Sequence, residues 1–192
     1  MYNIIAIIGK AGAGKDRMLQ AILEELKDIP NIHEVVPCTS RPKREKDVDG
    51  VNYYFYTPNY FMEKIYNGEM LEFTRFNNWW YGTSYDSVRS DGVINIGVFN
   101  PSAVRQLLDR EDCHVSVYWV AAANKTRLLR QLNREDNPNC GEIVRRYIAD
   151  EADFAEIDFD CTLIRNDTWE DFANGVQAIV GQVQTSFTRG QI

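Results

Sequence analysis

The segment Gly9-Lys10-Ala11-Gly12-Ala13-Gly14-Lys15-Asp16 constrains this chain more than any other. It follows Ile4-Ile5-Ala6-Ile7-Ile8, an unbroken apolar run that reads as a strand buried on both faces. It opens a helical pattern from Asp16 to Lys27, with Met18, Leu19, Ile22, Leu23 and Leu26 on one side. A glycine-rich turn ending in Gly-Lys between such a strand and such a helix is the GxxxxGK part of a P-loop. Glycines let the backbone wrap a phosphate and expose successive N–H groups. The helix N-terminus adds the positive end of its dipole, and Lys15 adds a mobile cation. A ligand-free turn of the same composition is the alternative. Asp16 stands where the motif usually has a Ser or Thr whose hydroxyl meets Mg²⁺. A carboxylate is also a hard oxygen ligand, and it places a negative charge beside the phosphates.

The rest of the chain must then supply an α/β fold. Apolar runs alternate with helical patterns, as in a mostly parallel sheet with helices on both faces. Val93-Ile94-Asn95-Ile96, Val115 to Val120 and Cys161 to Ile164 read as further strands. Helices are expected over 102–109, 124–134, 142–154 and 168–186, the last capped by Asp167-Thr168. Residues 33–90 differ, being rich in Tyr, Phe, Trp, Asn and Thr. They predict a small mixed lobe with strands at Tyr53 to Tyr56 and Met70 to Phe76 and a helix opened by Thr57-Pro58. Glu135 to Gly141 reads as a loop. The organisation expected is one domain over 1–192, with a core of 1–32 and 91–192 and a lobe of 33–90.

Composition narrows the function. The 192 residues hold 21 Lys plus Arg against 28 Asp plus Glu, a net charge of −7. Such a balance argues against a dedicated nucleic-acid binder, so an anionic ligand must be held by a local cluster of cations. Hydrophobic residues at 44% suffice for a core. No apolar run approaches the roughly 18 residues of a membrane span, and MYNIIAIIGK lacks a basic leader. A cytoplasmic protein without membrane attachment is expected. Cys38, Cys113, Cys140 and Cys161 are far apart, and His33 and His114 stand alone, so no metal or disulfide framework is expected of them.

A second anion site is visible in Thr39-Ser40-Arg41-Pro42-Lys43-Arg44. Two arginines with nearby tyrosine hydroxyls suit a phosphate, which guanidinium binds bidentately; a solvated basic loop is the alternative. CTSRPKREKDVDGVNYYF, GEMLEF and YGTS follow the P-loop in order. These segments resemble those of guanylate kinases, in the same order and at nearly the same distances. The resemblance runs from Ile5 to about Asp167.

The resemblance implies an ATP-dependent kinase. Gly9, Ala11, Gly12, Ala13, Gly14, Lys15, Asp16, Arg17 and Asn166 would bind ATP. Arg41, Arg44, Tyr53, Glu72, Tyr81 and Thr83 would bind the monophosphate, with Glu72 reading the two adjacent donors of guanine as an acceptor-only group. Alternation along the strand would put Glu72 on the face of Met70, Thr74 and Phe76, where a local Arg such as Arg75 or Arg41 is its alternative partner. Arg130 and Arg134, one turn apart on a helix, resemble the arginines of the family's helical lid, expected over about 124–150. Arg146, or its neighbour Arg145, resembles the arginine beyond it. Lys15, Arg44, Arg130, Arg134 and Arg146 would be catalytic, Mg²⁺ the cofactor with Asp16 as its ligand, and ATP with GMP or dGMP the substrates. A monomer or homodimer is expected. Three positions depart from the family pattern. Pro37 replaces a serine that helps read the base, leaving Cys38, Thr39 or Ser40 to substitute. Asn95 and Gly97 replace two acids of an L-D-x-D strand. A broader, viral-type deoxynucleoside monophosphate kinase and a non-catalytic guanylate-kinase-like binding module are the competing readings.

Overall fold

A computed structural model describes residues 1–134 and 136–188. Glu135, the first residue of the expected loop, lies outside the described residues, as do 189–192.

The larger sheet is parallel throughout, in the order β2-β7-β1-β8-β9. Its strands are β1 (Tyr2–Ile8), β2 (Ile32–Glu34), β7 (Ile94–Val98), β8 (Cys113–Ala121) and β9 (Thr162–Arg165). β1 lies at the centre, and Ile4 to Ile8 are all at least nine-tenths buried. Ile5 and Ile7 point to one face, against Met18, Leu19 and Ile22 of α1 (Lys15–Glu25) and Ile179 and Val183 of α6 (Trp169–Thr188). Ile4, Ala6 and Ile8 point to the other, against Val104 and Leu107 of α3 (Pro101–Leu108) and Phe154. Both faces are thus covered, which is why the strand reads as a continuous apolar run. The parallel order carries each chain reversal over the same edge of the sheet, so the turns after β1, β7, β8 and β9 gather there.

The smaller sheet has the order β4-β3-β6-β5 and is mixed. It comprises β3 (Cys38–Thr39), β4 (Tyr54–Phe55), β5 (Met70–Phe76) and β6 (Trp79–Ser84), with α2 (Pro58–Tyr66) on one face. Thr57 caps α2 by accepting from Tyr60 N at 3.2 Å, with Pro58 in the first turn. Phe61, Cys38 and Met70 form its buried centre. Gln106 of α3 bonds both backbone groups of Phe73, at 2.8 and 3.2 Å, and so joins the two sheets.

Three expectations of extent change. His33 and Glu34 pair with β7 in the larger sheet, whereas the lobe was expected to start at 33. Helix α4 (Asn124–Leu132) stops two residues short of Arg134. Helix α5 (Cys140–Asp153) starts two residues early, because Asn139 accepts from Glu142 N at 3.0 Å. At α6, Thr168 and Asp171 cap each other reciprocally, whereas Asp167 accepts from Ala123 N at 2.9 Å and caps α4.

Candidate active site

The glycine-rich turn joins β1 to α1 in the expected place. Gly12 and Gly14 have φ of 79° and 92°, the left-handed region. A Cβ on Gly14 would come within 2.5 Å of Asn166 Nδ2. Asn166, 3% exposed, donates to Ala13 O at 2.7 Å, so its amide nitrogen holds the turn from the end of β9. Arg130 Nη1 donates to Gly12 O and Ala13 O at 3.4 and 3.3 Å. Among the described residues the half-buried Lys15 ammonium has no ion pair. Asp16 is exposed beside it. Arg17 turns to α6, its guanidinium 4.4 Å from the Trp169 ring centroid.

The smaller sheet supplies a second polar surface. Arg41 is 6% exposed and pairs with Asp47 at 2.9 Å. It lies over the rings of Tyr53 and Phe55, at 5.6 and 5.5 Å. Tyr53 meets Tyr81 edge-on at 6.1 Å. Burial pushes the Tyr53 hydroxyl up, Tyr81 and Asp16 push the same way, and Arg41 and Arg146 oppose them. Tyr53 is therefore within electrostatic reach of the glycine-rich turn and of α5 at once. Arg44 and Arg146 both act on Glu142, whose carboxyl is held below its ordinary range first by Arg145. Arg145 is committed to Glu142, at 2.7 and 2.8 Å, and lies over Phe76. Among the described residues Arg146 has no ion pair.

Glu72 is 4% exposed. Thr83, fully buried opposite it on β6, donates to Oε1 at 2.7 Å, and Oε2 has no partner among the described residues. Burial pushes the carboxyl up to about 7, against the lowering effect of the Thr83 hydrogen bonds. Among the described residues no arginine pairs with it: Arg41 is bound to Asp47, and Arg75 lies over Trp80 at 5.6 Å. A register shift between Met70 and Glu72 breaks the alternation that would put them on one face. Met70 joins the Cys38–Phe61 cluster instead.

Arg134 does not share a helix face with Arg130. It follows the last turn of α4 and is exposed. The three expected substitutes for a base-reading serine are all engaged with β6: Cys38 Sγ donates to Gly82 O, Thr39 Oγ1 donates to Trp80 O, and Ser40 Oγ accepts from Trp80 N. The missing acids on β7 have a structural cause. Asn95 is fully buried; its Oδ1 accepts from Arg89 N at 2.8 Å and its Nδ2 donates to Arg89 O at 2.7 Å, which pins the preceding loop. A Cβ on Gly97 would meet Val35 at 2.8 Å, so no carboxylate fits there. Among the described residues no group of three His, Cys, Asp or Glu side chains is placed to hold a metal. A lone exposed Asp16 beside the glycine-rich turn is a hard oxygen donor that would fit Mg²⁺, an ion that keeps several of its waters.

Sequence reasoning passed over a buried cation beside the glycine-rich turn. Arg127 of α4 is 2% exposed and bonds the glycine-rich turn at Ala11 O, 3.1 Å away. Its spacing of three from Arg130 was the available signal, since both fall on one helix face.

A family model described as guanylate kinase matches residues 1–183. Guanylate kinase of Thermotoga maritima is 29% identical over 195 residues, covering 98% of this chain and 91% of that protein. Guanylate kinase of Symbiobacterium thermophilum is 29% identical, with 85% and 78% covered. MAGUK p55 subfamily member 7 of Danio rerio is 33% identical over 89 residues, which are 46% of this chain and 15% of that protein. The crystal structure of guanylate kinase from Anaplasma phagocytophilum superposes with a TM-score of 0.67 at 21% identity, over 95% of this chain and 87% of that one. The family match spans all nine strands and five of the six α-helices found among the described residues in full, together with the glycine-rich turn, Glu72 and Thr83. The chain belongs to the guanylate kinase family.

Proposed function

We propose that this chain transfers the γ-phosphoryl group of ATP to a guanine nucleoside monophosphate, GMP or dGMP, giving ADP and the diphosphate. The observation that carries the guanine reading is the buried Glu72 with its unpartnered Oε2. Thr83 occupies one lone pair of Oε1, and the carboxylate retains acceptor capacity on both oxygens for N1–H and N2–H₂ of guanine, two adjacent donors. A buried polar atom without a partner costs roughly 1–3 kcal/mol, which a ligand with the matching donors recovers.

In this reading the backbone N–H groups of the glycine-rich turn and Lys15 hold the ATP phosphates. Arg41, Arg44, Tyr53 and Tyr81 hold the phosphate of the acceptor. Arg44, Arg130, Arg134 and Arg146 offset the charge that spreads over the transferred group. The acceptor oxygen attacks in line, the bond to ADP breaks, and no covalent enzyme intermediate forms. Mg²⁺, when bound, supplies further charge neutralisation, and Asp16 is the side chain that would hold it. The smaller sheet with α2 acts as the acceptor lobe and about 124–150 as a lid, whose closure excludes water and limits ATP hydrolysis.

The relatives matched over most of the chain are guanylate kinases, and the scaffold-protein match covers less than half of it. The enzyme is therefore favoured over the binding module. No helix among the described residues is long and apolar enough to cross a membrane. We place the enzyme in the cytoplasm, as a monomer or homodimer with nucleotides and not nucleic acid as its partners. The test is replacement of Glu72 by Gln, with acceptors of different base compared.

A further inference from the structure

We propose that Arg127 is a positioning residue for phosphoryl transfer, acting by tying α5, and with it Arg146, to the glycine-rich turn. Ala11 has both backbone groups taken by lid side chains. Its N–H donates to Asp150 Oδ2 at 2.5 Å, and its carbonyl accepts from Arg127 Nε at 3.1 Å. The same guanidinium reaches α5 from α4, donating to Glu151 Oε1 at 2.9 Å and Asp150 Oδ2 at 3.4 Å. Lys10 closes the network by pairing with Glu151 Oε2 at 2.6 Å. Arg127 also lies over the Tyr147 ring, 5.0 Å from its centroid.

Three features separate this network from an ordinary surface ion pair. Arg127 is 2% exposed, so its charge is desolvated and its partners are obligatory. Its fork is used bidentately, on the backbone of one element and the carboxylates of another, which fixes geometry as a flexible ammonium does not. Asp150 is four residues beyond Arg146 on α5, hence on the same face one turn away. Holding Asp150 at Ala11 therefore sets where Arg146 stands over the phosphates. Arg127 itself bonds only protein groups, and its effect passes through α5.

This inference rests on the kinase reading, and the experiment separates the two. Arg127→Met removes the fork while keeping much of the volume; Asp150→Asn is the milder variant should the first fail to fold. The first measurement needs no activity: hydrogen exchange of nucleotide-free protein, at matched melting temperature offsets. Acceleration confined to 140–153 and the glycine-rich turn is expected, and unchanged exchange there overturns the tie. The second is a kinetic cycle with Arg146→Ala. A displacement of about 1 Å at a reacting centre costs on the order of 100-fold, so Arg127→Met should lower kcat by about 10- to 100-fold with KM for ATP nearly unchanged. In the Arg146→Ala background the same substitution should cost less than about twofold, because its effect is already lost. Additive losses, or a change in KM alone, overturn the proposal. Absence of ADP release by the wild type with every monophosphate overturns the kinase reading instead and leaves the exchange result standing.

Discussion

Thr83 Oγ1 donates to Glu72 Oε1 across 2.7 Å, while Glu72 is 4% exposed and its second oxygen has no partner among the described residues. A hydroxyl opposite a carboxylate fixes its orientation and lowers its cost of burial. The remaining oxygen has no partner among the described residues, so its acceptor capacity is left for a ligand.

Replacing Glu72 by Gln should therefore damage recognition of guanine selectively. The amide keeps one acceptor and presents a donor where the base also has one. Loss of a charged hydrogen bond is worth about 1.5–3 kcal/mol, so kcat/KM for GMP should fall by about 10- to 150-fold. Acceptors with other bases should change much less. Arg44→Ala, which touches no base, should weaken all acceptors alike. An equal loss for all bases in the Glu72 variant would make Glu72 structural. Steady-state rates with GMP, dGMP, AMP and dTMP decide it.

The same carboxyl makes a pH signature. Burial pushes it up to about 7 from its ordinary 4.5. Only the ionised form accepts two donors, so GMP binding to the nucleotide-free protein should weaken as pH falls through about 7. Stability runs the other way. A carboxyl raised on folding binds its proton more tightly in the folded state, so its contribution is full below 4.5 and is lost as pH rises through about 7. The neutral Gln lacks this loss. Melting curves should show Glu72→Gln above the wild type at pH 8, with the gap closing near pH 5. A constant gap would show that Glu72 does not titrate in this range. Comparing the two proteins cancels the other shifted groups.

Asp16 faces two opposed effects. With Mg²⁺ it would supply a hard oxygen ligand, and without Mg²⁺ it would repel a phosphate bound at short range. Asp16→Ala should raise the Mg²⁺ concentration for half-maximal rate and leave metal-free ATP binding unchanged or tighter. Calorimetry of ATP binding in chelator, together with a Mg²⁺ titration of rate, reads both. Identical Mg²⁺ curves would leave Asp16 as a carboxylate complementing the dipole of α1.

The glycine-rich turn was legible because its evidence is local: an apolar strand, glycines that φ values of 79° and 92° require, and a helix of fixed period. The caps at Thr57 and Thr168 were legible for the same reason. The short strands at Ile32–Glu34 and Cys38–Thr39 were not, since two or three residues carry no period. Trp79–Ser84 was visible only as a motif, although its aromatics suit a strand. Arg134 falls outside α4 because Asn133 ends the helix, a two-residue error of the size that sequence boundaries commonly carry. Arg127 escaped because its burial depends on Asp150 and Glu151, which lie on another helix. Asn95 and Gly97 read as lost acids, and the packing against Arg89, Val35 and Phe99 shows why acids are excluded.

The most direct measurement is a coupled ADP-release assay with Mg-ATP against GMP, dGMP, AMP, dTMP, dCMP and UMP, run beside Lys15→Ala. GMP or dGMP should be the preferred acceptor by well over tenfold, since one buried charged hydrogen bond alone is worth about that factor. Lys15→Ala should melt normally and nearly abolish turnover, because it removes a charge that acts on the transferred phosphoryl group and little packing. Equal turnover of all six acceptors, or near-normal rates from a folded Lys15→Ala, would contradict the assignment.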